Sequence, residues 1–542
     1  MHYDAEVPVL IVGGSVVGLS AALFLGWHGV PALLVERHAT TSIHPRAGSF
    51  NERTMELFRQ VGMTEAIFAR ETPPESKGEM GLRVESLAGR VLDSTEFRAH
   101  QQASFVNPFA SPARAAVIGQ DKLEPLLRAR ASELGCDIRF GTELVDCEQE
   151  SGGVRALIRE RASGQERRIF AQYVIAADGH RSFLRQQSGI GSYGYGKLGQ
   201  WVSILFRTDL SKILGERKIA LCFVNNASVD GILGQSADHW ALFAHVRPRA
   251  DEADTLAPER CLELVRAALG LPEQPVELIS TLPWELAARV AERYQEGRIF
   301  LAGDAAHVMT TMGAFGANTG IADAHNLAWK LAFVLDGQAS PALLTSYGQE
   351  RQPAADLATG VSTGLYVYRL AHLEQREAIL RSANELLERV RPGSPERQPT
   401  AFSVIQGYRY RSAAVLPEHE EEDSVLFENE PSARPGTRAP HIWLTHHGQR
   451  ISILDLYGKH FVLLTGPDGQ GWRDVCQRSS FPLESYTIGA DQPYRDTDAS
   501  FLATYGLSSS GAVLVRPDGF IAWRARQAAS SETPGLTRLL GR

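Results

Sequence analysis

The chain has 542 residues, too many for one ordinary domain and enough to bury more than one core. Charged residues make up 22% and hydrophobic ones 44%, a soluble globular balance, and a formal net charge of −8 excludes the basic face of a nucleic-acid binder. No apolar run approaches a membrane span, and the acidic N-terminus lacks a basic-then-apolar leader, so a cytoplasmic protein with no membrane partner is expected.

In chain order, Val7-Pro-Val-Leu-Ile-Val12 is a short apolar run, the pattern of a parallel strand buried on both faces. Gly13-Gly14-Ser15-Val16-Val17-Gly18 follows, and Leu19 to Leu25 are apolar at helical spacing, closing at Gly29. Pro31 to Val35 predicts a second strand, ending in Glu36. Gly13 and Glu36 are 23 residues apart, close to the interval between the first glycine and the ribose-binding acid of a dinucleotide fold. Ser15 stands where that motif has its middle glycine. A serine keeps the amide, but its side chain needs room beside a pyrophosphate. Either Ser15 points away at little cost, or the cofactor is weakened or displaced.

Residues 76–110 read as strand-rich and irregular, and a helix carrying Leu123, Leu126, Leu127 and Leu134 starts at Gln120. Val174 to Ala177 is another buried strand, leading into Asp178-Gly179. Residues 197–285 read as strands at 201–206, 218–224 and 239–246, with one helix near 257–269. Ile299 to Ala302 is a buried strand ending in Gly303-Asp304, and a glycine-rich loop then opens a helix that includes residues 322–334. A carboxylate at a strand end facing a helix start suits a ligand with sugar hydroxyls and phosphate.

After residue 392 the composition shifts. Residues 391–395 and 431–436 are Pro/Gly breaks, and the acidic run 418–423 is expected as a solvated surface loop. Strands are predicted at 451–455, 461–465 and 512–515, with a turn at Arg516-Pro-Asp-Gly519 before another at 520–523. Cys136, Cys147, Cys222, Cys261 and Cys476 show neither C-x-x-C nor metal-ligand spacing, so reduced, mostly buried thiols and no metal are expected.

Three segments carry a family resemblance: the glycine motif with Glu36-Arg37, the stretch Ala177-Asp178-Gly179-His180-Arg181-Ser182-Phe183-Leu184-Arg185, and the stretch from Arg298 through Asn318-Thr319-Gly320 to Trp329-Lys330. On these, the chain resembles the class A FAD-dependent aromatic hydroxylases, flavoprotein monooxygenases of the aromatic polyketide hydroxylase and phenol hydroxylase-like subfamily. The resemblance implies an α/β fold with a Rossmann-like FAD-binding domain of the para-hydroxybenzoate hydroxylase type over 1–75, 111–196 and 286–392. It further implies a β-sheet middle substrate domain (76–110 and 197–285), a linker (393–436), and a thioredoxin-like C-terminal domain (437–542) used for packing and dimerisation. Monomer and homodimer both stay open.

The resemblance also implies FAD as cofactor, NADPH or NADH as reductant and O₂ as co-substrate. A flavin C4a-hydroperoxide would hydroxylate a polycyclic aromatic polyketide in bacterial secondary metabolism. The alternatives are a phenol-degrading hydroxylase, a Baeyer–Villiger oxygenase, or a catalytically lapsed ligand-binding homologue. By the same resemblance, Gly13, Gly14, Ser15 and Gly18 face the pyrophosphate, Glu36 with Arg37 the adenosine ribose, Arg46 the flavin, and Gln120 and Asp304 the ribityl chain. Gly316, Asn318 and Thr319 would place backbone donors at the pyrimidine edge of the isoalloxazine. Asp178 suits either a cofactor contact or a helix cap, Tyr366 and Tyr368 suit either the substrate pocket or the core, and no catalytic base can be named. The family usually has Pro-Pro at Thr310-Thr311 and glycine at Ala314; the threonines are expected to leave this loop more flexible.

Overall fold

The computed structural model describes residues 2–44, 46–71, 79–93, 110–215, 217, 219–235, 239–246, 257–369, 375–418, 424–477, 483–528 and 536–541. The chain forms two compact units, one of Met1–Arg70, Val106–Gly194 and Arg289–Arg542, the other of Glu71–Phe105 and Tyr195–Ala288.

The first unit is organised by β1 (Ala5–Val12), α1 (Val16–Trp27), β2 (Ala32–Glu36), α2 (Glu52–Gln60), α3 (Gln120–Glu133), β3 (Asp137–Phe140), β4 (Glu166–Ala176), β5 (Ile299–Leu301), α4 (Phe315–Leu335) and α5 (Thr345–Arg369). These strands pair in parallel in the order β3-β2-β1-β4-β5. β1 is central, which is why Val9, Leu10 and Ile11 are wholly buried and the run lacks polar alternation. Each such side chain contributes roughly 1.5–3 kcal/mol through burial. α1 and α4 lie against each other on this sheet. Their contact is close because Gly320 leaves no Cβ there: one would meet Val17 Cγ2 at 2.6 Å and Gly303 Cα at 3.0 Å. The two glycine-bearing segments, nearly 300 residues apart in sequence, are thereby in direct contact.

The same unit contains a seven-stranded C-terminal sheet. Phe461–Thr465 runs parallel to Leu483–Gly489 and antiparallel to Ala512–Val515, which pairs in turn with Ile521–Ala525. The strand expected at 451–455 is shorter, Gln449–Ser452, because Ser452 and Asp455 form a capping box that turns Ile453–Leu456 into a 3₁₀ helix. The described residues of 393–436, which are 393–418 and 424–436, do not form an open linker. Val404, Tyr408, Tyr410, Val425 and Phe427 are buried in one cluster with Phe315, Ala354 and Phe520. Glu418, expected in a solvated loop, accepts from Arg524 Nε at 2.5 Å and from Arg526 Nη2 at 3.3 Å; residues 419–423 lie outside the described residues. The composition of this stretch suggested a break, but its spaced aromatic residues supply enough apolar area to bury.

The second unit is a sheet in which Trp240–Val246 pairs antiparallel with Ser192–Arg207 and with Asp230–Gln235, and Ile219–Asn225 pairs with Asp230–Gln235 and Glu79–Val84. Helix Pro258–Leu269 buries Cys261, Leu264, Val265, Ala268 and Leu269 in this unit's core. Residues 94–109, within the stretch expected to be strand-rich, lie outside the described residues. Cys136, Cys147, Cys222 and Cys261 are free and buried, and the Cys476 side chain is outside the description. Among the described residues no helix is long and apolar enough to cross a membrane, and no cluster of His, Cys, Asp or Glu could hold a metal ion.

Candidate flavin site

The glycine turn is tight because backbone lies where side chains would be. A Cβ on Gly13, whose φ is +108°, would meet the Ala177 carbonyl oxygen at 2.2 Å, and one on Gly18 would meet the Gly13 carbonyl oxygen at 1.9 Å. Gly14 abuts Glu36, and its amide donates to Glu36 Oε2 at 2.6 Å. Ser15 needs no glycine: it is the N-cap of α1 with φ −84° and ψ −175°, extended backbone that any residue adopts. Its hydroxyl does not cap the helix. It donates to Glu124 Oε1 at 2.8 Å and accepts from Gln120 Nε2 at 2.9 Å. The first-turn amides of α1 thus have no side-chain partner at the cap and are available to an anion.

Glu124 organises this region, and the sequence reading passed over it. Its buried carboxylate takes Ser15 and Gln120 on Oε1 and the Ser42 amide on Oε2 (2.8 Å). The Gln120 amide donates to Ala47 O at 2.8 Å, and Asn318 holds the other end of the 42–51 loop. The loop carrying Arg46 is therefore pinned at three places, with Arg46 itself exposed. A glutamate one turn after Gln120, on the buried face of an amphipathic helix, was the available signal.

The stretch from Arg298 to Lys330, which opens α4 and is called the opening segment, is built differently from a simple strand–loop–helix. Gly303–Ala305 is a 3₁₀ turn with Gly303 at φ +60°, and Asp304 is exposed on it. A second 3₁₀ turn, Met312–Ala314, precedes α4. Ala314 is left-handed at φ +54°, a conformation that costs an L-residue roughly 1 kcal/mol and that glycine adopts freely. The family's usual glycine at this position has that physical cause, and here alanine carries the strain. No side chain caps α4, so the first-turn amides of Phe315, Gly316 and Ala317 are its open donors. Those of Asn318 and Thr319 fall within the helical ladder. The Asn318 side chain is a clamp: Oδ1 accepts from the Asn51 amide (3.0 Å) and Thr54 Oγ1 (2.6 Å), while Nδ2 donates to Ala314 O (2.7 Å) and Ser49 O (3.2 Å).

Thr310 does not loosen the loop. It is buried, its hydroxyl lies 2.5 Å from Ser362 Oγ and donates to Ser362 O (2.9 Å), and Ser362 Oγ donates back to Thr310 O (3.0 Å). Hydrogen bonds to α5 replace the stiffness of the prolines. Thr310→Val and Ser362→Ala should each lower stability by about 1 kcal/mol, and the double variant by clearly less than the sum. A urea-denaturation cycle measures this; additive losses would separate the two residues.

Behind the segment, Asp323 is buried and accepts from the Gly303 amide (3.1 Å), His307 Nε2 (2.7 Å) and Arg351 Nε (2.8 Å). Burial alone would raise its carboxyl, but His307 and Arg351 outweigh that and hold it low. Arg351 also donates to Tyr410 Oη (3.0 Å) and Thr319 O (3.1 Å). Next to it, Glu350 binds Lys330 Nζ (2.7 Å), Ser412 Oγ (2.6 Å) and both guanidinium nitrogens of Arg516 (2.6 and 2.8 Å). Arg516 also grips Asp518. The C-terminal turn at 516–519 is in this way bonded to the helix adjoining the opening segment. None of this was visible in single-residue patterns, since the partners are up to 166 positions apart.

Of the remaining residues, Glu36 is committed to Gly14 N and to His38 N (2.8 Å) and Nδ1 (2.6 Å), and Arg37 and Arg181 are exposed. Asp178 acts as a cap, accepting from Leu184 N at 3.2 Å beside the true N-cap, Ser182. Burial raises the Asp178 carboxyl, partly offset by Ser182 and the Leu184 amide, and its Oδ1 is buried without a partner. Tyr366 is core, and the Tyr368 side chain lies outside the described residues.

These features fit FAD. Two helix starts without side-chain caps, a cradle that any Cβ would fill, and an acid beside the glycine turn are the donor set a dinucleotide requires. Residues 6–362 match the family described as FAD binding domain, and residues 432–542 the one described as aromatic-ring hydroxylase, C-terminal. A 4-methyl-5-nitrocatechol 5-monooxygenase from Burkholderia sp is 43% identical over 99% of this chain and 97% of its own. Tetracenomycin A2 monooxygenase-dioxygenase from Streptomyces glaucescens is 39% identical over the same shares, 99% and 97%. A crystal structure of aklavinone-11 hydroxylase with FAD and aklavinone superposes with a TM-score of 0.86 at 36% identity, covering 100% of both chains. The chain belongs to the FAD-dependent aromatic-ring hydroxylases and is a flavoprotein monooxygenase with the para-hydroxybenzoate hydroxylase-like fold and an added C-terminal domain.

Proposed function

We propose that this enzyme inserts one oxygen atom of O₂ into a polycyclic aromatic polyketide, with NADPH or NADH as reductant, in the cytoplasm of a bacterium that makes an aromatic natural product. The observation that carries the substrate class is the full-length similarity to tetracenomycin and aklavinone oxygenases, C-terminal region included. FAD, when bound, supplies oxygen activation. The first-turn amides of α1 would hold its pyrophosphate, Glu36 the adenosine ribose, Asp304 the ribityl chain, and the open amides at Phe315, Gly316 and Ala317 the pyrimidine edge. Donors at that edge favour negative charge on the ring. The Asn318 clamp and the Thr310–Ser362 pair would keep those donors in register. The domain division proposed is the one given by the sequence, with the described residues of 393–436 assigned to the folded core of the first unit.

The relative acting on a nitrocatechol supports a second reading, a hydroxylase of single substituted rings. One assay separates them. The purified protein should be yellow, and its NADPH oxidation should rise at least about tenfold with an anthracyclinone or tetracenomycin-type polyketide while nitrocatechols and phenols leave it near the basal rate. Stimulation by the single rings alone would overturn the polyketide reading. A colourless protein that takes up no added FAD would overturn the flavin site itself.

A further inference from the structure

Two buried clusters of the first unit combine cations and carboxylates in different ratios. In the Glu350 cluster, two cations (Lys330, Arg516) face two carboxylates (Glu350, Asp518). Around Glu56 the count is different. Its carboxylate accepts from Arg53 Nη1 (2.9 Å), from Arg438 Nε (3.0 Å) and Nη2, and from the Ser111 hydroxyl (2.6 Å). Arg53 Nη2 goes to a neutral partner, the Asp518 carbonyl, at 2.7 Å. Two guanidinium groups, 7% and 4% exposed, thus share one carboxylate, and Arg53 Nε is buried with no partner. Two buried cations on one counter-charge are costly, and a guanidinium cannot shed its proton to avoid that cost.

Arg53 lines a small cavity together with Asn51, Thr54, Phe315, Asn318, Arg351 and Tyr408. Asn51 is the N-cap of α2, and Phe315 begins α4, so two helix starts add their positive ends to the same space. The cavity is small, the centre of a water-sized atom ranging over about 20 Å³ in it, which admits water or a small inorganic ion. We infer that this cavity binds a small inorganic anion, chloride under ordinary conditions, as a second counter-charge beside the Glu56 that Arg53 and Arg438 share. The site is separate from the glycine turn and does not depend on the proposed substrate, but it adjoins the proposed pyrimidine-edge donors through Phe315 and Asn318. Its role is to fix Arg53, and with it the start of α2, against the Asn318 clamp.

Crystals of the holoenzyme soaked in bromide give the direct test. An anomalous peak in this cavity, in contact with Arg53 Nε, is expected; ordinary water density with no peak would overturn the assignment. In solution, replacing gluconate by chloride at constant ionic strength should raise the Tm of the wild-type holoenzyme by about 2–4 °C and saturate. Arg53→Met should lose that response, and Arg53→Lys, which keeps the charge, should retain part of it. A wild-type Tm indifferent to chloride would by itself count against the site.

Discussion

Arg516→Met is expected to destabilise the protein by about 3–5 kcal/mol, the cost of leaving buried carboxylates without their cation. The guanidinium is fully buried and binds Glu350 and Asp518 at once, with four hydrogen bonds between 2.5 and 3.0 Å. Burial would raise the Glu350 carboxyl, but Arg516 and Lys330 outweigh it and hold Glu350 well below the usual carboxylate range. Without Arg516, Lys330 alone must serve two carboxylates, and burial has already pushed its own ammonium down to about 8 against the pull of Glu350. The urea midpoint of the variant should fall steeply, and Arg516→Lys, a point charge that cannot fork across both acids, should recover only part of the loss. An unchanged midpoint would mean that the C-terminal turn and the opening-segment helices are energetically independent. Because Glu350 is followed by Arg351, which holds Asp323, flavin retention should decline with the variant before global unfolding.

The second large effect concerns the glycine turn. Gly18→Ala would place a methyl group 1.9 Å from the Gly13 carbonyl oxygen, a clash with backbone that no rotamer relieves. The turn must open, and FAD affinity should fall by about 100-fold or more, since the pyrophosphate depends on close backbone approach. Asp304→Ala should also release FAD while leaving the fold intact, because Asp304 is exposed and its removal vacates no core space. Fluorescence titration of apoprotein with FAD distinguishes the two: Gly18→Ala lowers both affinity and Tm, and Asp304→Ala lowers affinity alone. Stoichiometric flavin retained by Asp304→Ala would remove that residue from the site.

The sequence reading succeeded where one residue type answers one local demand. Gly13 and Gly18 are required by backbone contacts within a single turn, and the β1 and α1 patterns reflect burial on two faces and on one stripe. It failed where the demand came from elsewhere. Thr310 was expected to add freedom, but Ser362 on another helix takes its hydroxyl. Residues 393–436 looked like a connection because Pro/Gly breaks mark their ends and an acidic run lies between, yet their buried aromatic residues are core. The strand at 451–455 was cut short by a cap that was present in the sequence, Ser452 and Asp455, and went unread.

The sequence by itself therefore determined the parallel sheet and a dinucleotide-type turn, which spacing along one strand–turn–helix unit encodes, and, through the resemblance carried by three motifs, the family and FAD. Tertiary structure alone decided how Ser15 is tolerated, how Ala314 comes to be left-handed, and which buried acids hold the loops. Those outcomes depend on Glu124, Asn318, Asp323 and Glu350 meeting partners remote in the chain. A hydrogen bond or buried ion pair has no period, and so leaves no trace until the chain is folded.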